Sequence, residues 1–302
     1  MQEIWIRAFC FIGIIILGYV LRRIGVFKAE DFNVLSKIVL KITLPAAIIT
    51  NFSGAVIDPS LLLIVLLGFG GGVLYMLFGF IANLRTGKEE QRFGIINLSG
   101  YNIGCFTMPF AQSFLGPVGV ITTSLFDVGN AFICLGGSYG VASSVGEQGG
   151  FSFKRIGKAL ASSVAFLSYL IMITLNLLHI SLPSPILSLA EIIGNANAFV
   201  AMLMIGVGFH LTAEKEKLGK VVKILVVRYG VALVLALACF FFVPFQLEVR
   251  QALMVLFFSP MASANPAYTG ELEGDVGTAS ALNSLSILIS IIAIVGIMVI
   301  AL

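Results

Sequence analysis

The sequence predicts an all-α integral membrane protein of about ten transmembrane helices, in two inverted five-helix repeats whose broken helices four and nine cross. Three observations predict it. The composition is too apolar for a water-exposed surface. The apolar residues fall in long continuous runs rather than in the alternation a transmembrane barrel needs. Short proline-containing motifs recur at matching places in the two halves.

Of 302 residues, 59% are hydrophobic and 11% are charged, whereas a soluble domain is roughly half apolar and about a quarter charged. The mean hydropathy of +1.06 agrees. Eighteen Lys and Arg with fifteen Asp and Glu cannot cover a soluble protein of this size. The net charge of +3 is no signal for nucleic acid, because the basic residues sit in short clusters between apolar runs. Cys10, Cys105, Cys134 and Cys239 lie far apart in apolar stretches, without a disulfide or metal-ligand spacing. No cofactor is expected. Glu3 and Arg7 cancel near the N-terminus, and no small-residue cleavage site follows. The first run therefore reads as a span rather than a leader.

Spans are expected at 4–21, 34–52, 59–84, 93–114, 118–143, 156–178, 186–209, 221–242, 247–269 and 276–302. Arg22, Arg23 and Lys28 follow the first. Arg85, Lys88 and Arg92 follow the third. Lys154, Arg155 and Lys158 follow the fifth, and Lys215, Lys217, Lys220 and Lys223 the seventh. The loops between them are nearly free of Lys and Arg. The basic loops thus face the cytoplasm and both termini face outward. The loop after span nine carries Glu271, Glu273 and Asp275, and acidic residues weigh little in this rule. The predicted location is the cell inner (plasma) membrane, multi-pass, with the lipid bilayer as partner.

An odd number of spans per half makes the halves inverted. The first repeat is 1–145, a short cytoplasmic connector is 146–154, and the second repeat is 155–302. Met108-Pro109 is followed by Gly116-Pro117-Val118-Gly119, and Asn265-Pro266 by Gly274-Asp275-Val276-Gly277. Interrupted spans at matching positions point to a midplane binding site. Proline inside a span removes a ladder hydrogen bond and clashes with the preceding turn. The freed backbone groups must face protein or a cavity. Half-helices beginning near Pro109 and Pro266 would aim N–H groups inward, favouring negative charge. The opposing ends offer carbonyls, which suit a cation or a proton donor. Asn102, Gly104, Thr107, Ser263 and Asn265 lie beside these breaks.

Asp127 stands in the fifth span without an adjacent base, and Asn130 lies one turn on. It reads as a proton carrier, a cation ligand, a lock for the broken helices, or a structural hydrogen-bonding group near a span end. Asn283, Ser284 and Ser286 are candidates to line a cavity from span ten. Glu191, followed by Asn195 and Asn197, fits an outer interface. Lys37 and Lys41 fit snorkelling residues or attractors of an anion. His179 and His210 receive no chemistry. The glycines at 68 and 70–72 lack the Lys-Ser of a phosphate loop and fit close helix packing. No residue set supports hydrolysis, so no enzyme is expected.

Asn102-x-Gly104-x-x-x-x-Pro109, then Gly116, Asp127 and Asn130, resembles the fourth and fifth spans of the auxin efflux carrier family, which includes bacterial malate permeases. Leu44-Pro45-Ala46 with Asn51-Phe52-Ser53 resembles its second span. Asn265-Pro266, Gly270-Glu271, Asp275 and Asn283-Ser284-Leu285-Ser286 resemble its C-terminal end. The resemblance covers nearly the whole chain. It implies the fold of sodium–bile acid symporters, with elevator-like transport of organic anions. It carries site roles onto Asn102, Pro109, Asp127, Asn130, Asn265 and Pro266. The short central loop departs from many plant members and favours a bacterial-type carrier. The expected function is secondary transport of a small organic anion, a dicarboxylate such as malate. Proton and sodium are the candidate coupling ions, and a homodimer is the candidate assembly. The alternatives are a sodium-coupled bile-acid-like symporter and a non-transporting membrane sensor.

Overall fold

A computed structural model describes residues 2–55, 58–146, 150–209 and 215–301. His210 and residues 147–149 of the expected connector lie outside the described residues. All regular structure within them is helical. The helices are α1 (Gln2–Arg23), α2 (Asp31–Ile38), α3 (Leu44–Phe52), α4 (Leu63–Ile81), α5 (Lys88–Leu98), α6 (Met108–Phe114), α7 (Gly116–Phe132) and α8 (Ser138–Ser143). There follow α9 (Phe153–Ser162), α10 (Val164–Leu177), α11 (Ser184–Asn195), α12 (Asn197–Gly208), α13 (Leu218–Phe242), α14 (Leu247–Phe257), α15 (Asn265–Glu271) and α16 (Val276–Ala301). Widened π-helical turns join α2 to α3 (Val39–Thr43), lead into α6 (Ile103–Thr107) and join α7 to α8 (Ile133–Gly137).

Among the described residues, seven stretches are long and apolar enough to cross a membrane, and eight if α9 and α10 count as one span. Those two bend by 77° at Ser163, whose Oγ accepts the Phe166 N–H at 3.3 Å and caps α10. Large apolar side chains such as Phe9, Leu66, Ile192, Val234 and Ile292 point outward. Exposed apolar surface on this scale belongs in lipid. The chain is therefore an all-α multi-pass membrane protein. Two further stretches are interrupted in mid-course: α5 with α6, and α14 with α15.

The helices sort into two packing groups. In the first, α1 lies along α12, and α3 packs against both α10 and α11. In the second, α4 packs on α5 and α7, α14 on α13 and α7, and α15 on α5 and α16. The α4–α7 contact is close because it is made through glycine. A Cβ on Gly68 would run into the Phe126 carbonyl, and one on Gly129 into the Val65 carbonyl. Gly71 and Gly72 likewise abut Tyr101 and Ile133, in keeping with the packing reading, whereas a Cβ on Gly70 would meet nothing.

The structure corrects the position of the first break. It lies at 99–102, not at Met108-Pro109. Pro109 sits in the first turn of α6, directly after the Ile103–Thr107 π turn. The wider turn changes the ladder locally, so proline's missing N–H and its ring are accommodated without a gap. Pro45 follows the Val39–Thr43 turn in the same way. Gly100 makes the true break: its φ is +72°, and a Cβ there would stand 2.8 Å from Cys134 Sγ and 2.9 Å from Ala262 Cβ. Pro266 does lie in the first turn of the half-helix it was expected to begin, after an irregular stretch from 258 to 264.

Candidate functional site

The two breaks meet in the second helix group. The Asn102 N–H donates to the Pro260 carbonyl at 2.9 Å, and Asn265 Nδ2 donates to the Ser99 carbonyl at 3.1 Å. Thr107 Oγ1 donates to Ser259 Oγ at 2.7 Å, and Asn97 Nδ2 donates to Thr269 Oγ1 at 3.0 Å. Each interrupted segment thus satisfies part of the other's freed backbone, the condition for irregular chain at membrane depth.

Asn130 holds the first break from α7. Its Oδ1 accepts the Tyr101 N–H at 2.9 Å, and its Nδ2 donates to the Tyr101 carbonyl at 2.8 Å. The side-chain amide replaces the backbone partner that the break removes. Nδ2 also donates to Asp127 Oδ1 at 2.9 Å, and Tyr169 Oη donates to Asp127 Oδ2 at 3.1 Å. Tyr169 belongs to α10, in the first helix group. The Asp127 carboxylate therefore links the two groups.

Two cavities adjoin the crossed breaks, both between the helix groups. One, of about 150 Å³, is lined by Asn102, Gly104, Asp127, Asn130 and Ser263 on one side, with Leu44, Phe166 and Tyr169 on the other. The second, of about 420 Å³, is lined by Asn102, Ser263, Pro266, Asn283 and Ser284 facing Arg22, Phe32 and Met204. Asn102 and Ser263 line both. Arg22 gives the larger cavity a cation. Its guanidinium is held by a 2.7 Å bond to the Val207 carbonyl.

Of the residues singled out in the sequence, Asn102, Gly104, Asp127, Asn130, Ser263, Pro266 and Asn283 face a cavity. Thr107 and Asn265 instead bond across the crossover, and Pro109 packs in the core. Lys37, Lys41 and Glu191 are exposed and line neither cavity.

Sequence reasoning passed over two arginines. Arg22 reads as one of a basic loop cluster until α1 is placed beside the cavity. Arg228 lies inside the apolar run of α13 and is completely buried. An arginine in the middle of such a run is itself a signal. Its guanidinium donates to the Leu98 carbonyl, to the Ser259 carbonyl at 3.1 Å and to the Pro260 carbonyl at 3.5 Å. It also lies over the rings of Tyr75 and Tyr101, at 3.9 and 4.8 Å from their centroids.

No group of three or more His, Cys, Asp or Glu among the described residues could hold a metal ion. No curated protein matches the chain. Residues 8–150, which include the first break and Asp127, match the family model Mem_trans, described as membrane transport protein. With its helical bundle, the chain is thus a multi-pass membrane protein similar over that stretch to membrane transporters, and its function class is transport of small molecules across a membrane.

Proposed function

We propose that the protein is a secondary active transporter of small organic anions, a dicarboxylate such as malate, that works by alternating access around the crossed breaks. The observation that carries this reading is the pair of cavities that adjoin the crossover and share Asn102 and Ser263. A substrate held by these residues could be reached from one cavity or the other as the two helix groups move past each other.

Several features support an anion. The helical segment from Ile103 and α15 both begin at the crossover, and N-terminal helix ends favour negative charge. Arg22 lies on the wall of the larger cavity. Asn102 and Asn283 supply neutral donors along the cavity walls. Asp127 supports a proton or a cation as coupling ion, because it is the carboxylate lining the smaller cavity and it bridges the groups that must separate.

In this reading the interrupted stretches complete ten spans in two inverted halves, 1–145 and 155–302. The packing gives support: α1 lies along α12, and reciprocally α10 lies along α3. Near the centre, Thr43 Oγ1 donates to Asn197 Oδ1 at 2.9 Å, joining the two corresponding spans. Proteoliposomes loaded with labelled dicarboxylates, with pH and sodium gradients varied separately, test the proposal. Saturable malate movement driven by one gradient is expected. Failure of every carboxylate to move under any gradient overturns it.

A further inference from the structure

The crossover joins two kinds of helix end, and Arg228 touches only one kind. The α5 helix ends at Leu98, and α14 gives way to the irregular stretch that contains Ser259 and Pro260. Each C-terminal end carries about half a negative charge, with carbonyls that have no partner in their own helix. Two such ends brought together away from water repel each other and leave acceptors unpaired. The Arg228 guanidinium bridges them, with one amino group on Leu98 and the other on Ser259 and Pro260. Tyr75 and Tyr101 cover its faces. No carboxylate pairs with it among the described residues. Its charge is balanced by helix ends and ring faces rather than by an acid.

We propose that Arg228 is the resident cation of the crossover: it ties the two carbonyl ends together, does there what a bound metal ion would otherwise do, and so lets the crossover accept an anion without a co-bound metal. Asn102 and Ser263, which line both cavities, follow its carbonyl partners by only a few residues. The guanidinium therefore fixes their position and adds a permanent positive charge behind them. Arg228 is a positioning residue, since it lines neither cavity. A lysine offers a point charge but not the planar fork that reaches three carbonyls on two segments.

The inference about anions rests on the transport reading above, so its test has one arm that needs no transport. Wild type, Arg228→Lys and Arg228→Ala are purified in detergent, and thermal unfolding is followed with guanidinium, sodium or choline chloride at matched low millimolar concentration. Guanidinium should raise the midpoint of Arg228→Ala above its value in choline while leaving wild type unraised, and sodium should raise wild type no more than choline does. In proteoliposomes, wild-type malate uptake should be unchanged when choline replaces sodium. Arg228→Lys should fold and transport more slowly, on the order of 100-fold, as displacement of a positioned group does. Guanidinium should restore part of the uptake lost in Arg228→Ala. If no malate moves in wild type, the transport reading fails while the unfolding arm still decides the resident cation. Stabilisation of wild type by sodium, sodium-dependent uptake, or wild-type rates in Arg228→Lys overturns the proposal. If Arg228→Ala yields no folded protein, the wild-type sodium arms and Arg228→Lys decide it.

Discussion

The two breaks do the same topological job with different chemistry. The first, at 99–102, turns on Gly100 and is held by neutral groups: Asn130 clamps both backbone groups of Tyr101, and Asn265 reaches the Ser99 carbonyl. The second, at 258–264, contains Pro260 and ends at Pro266. It is held by a cation, Arg228, and by Ser286 Oγ, which accepts the Met261 N–H at 3.2 Å. The difference follows from what each break leaves unpaired. The first exposes a donor and an acceptor on one residue, which an amide side chain can match. The second gathers carbonyls from two segments, which only a strong multiple donor can satisfy. One break is thereby fixed locally, and the other fixes the meeting of both.

The largest expected effect falls on the local clamp. Asn130→Ala leaves the Tyr101 N–H without a partner and its C=O with the Ile103 N–H, and losing two buried bonds should cost about 2–5 kcal/mol of stability. Thermal unfolding in detergent measures it, and Asn130→Asp should restore the acceptor half alone. Next is Gly100→Ala. The left-handed backbone there costs a side chain about 1–2 kcal/mol, and the contacts with Cys134 and Ala262 add to it. Both substitutions should disturb the first break more than the second, so hydrogen exchange should rise at 99–107 before 258–265. Equal exchange at both would show that the breaks are one unit and the distinction is false.

Asn265→Ala should cost less stability, about 1–2 kcal/mol for one buried bond, yet abolish transport, because that bond ties α15 to the end of the α5 segment. Wild-type uptake by this variant would show that the cross-link between the breaks is dispensable. The smallest effect lies outside the membrane. Partial burial raises the Asp275 carboxyl, but bonds from the Thr278 hydroxyl and N–H and the nearby Lys217 ammonium outweigh it and bring it down to about 2. A carboxyl lowered by folding contributes stability that is complete above its unfolded value and is lost as pH falls through the folded one. The capping of α16 should therefore weaken between roughly pH 4 and pH 2. Asp275→Asn should remove that acid dependence while keeping the cap, since asparagine caps a helix about as well as aspartate.

Much of this arrangement is legible in the sequence because the bilayer enforces simple rules. Long apolar runs must be helices, and polar residues such as Asn102, Asp127 and Ser263 inside them must face something other than lipid. The spacing of Asp127 and Asn130 puts them on one face, where they do bond. Their targets are not legible: Tyr101 and Tyr169 come from other helices, and only the packing selects them. Pro109 misleads because a π turn absorbs it, while the neighbouring Gly100, less conspicuous as a breaker, makes the gap. The 77° bend at Ser163 carries no proline at all. Arg228 escaped a reading that used arginines chiefly to orient loops, although its place inside an apolar run distinguishes it from every loop cation.

The central claim is that one pair of residues at the crossover is reached from two sides. A single cysteine at Ser263, in a background with Cys10, Cys105, Cys134 and Cys239 replaced, tests it most directly through labelling by a membrane-impermeant thiol reagent from each face of sealed vesicles. The account requires labelling from both faces, slowed on both by malate. Labelling from one face alone, or rates indifferent to malate on both, would contradict it.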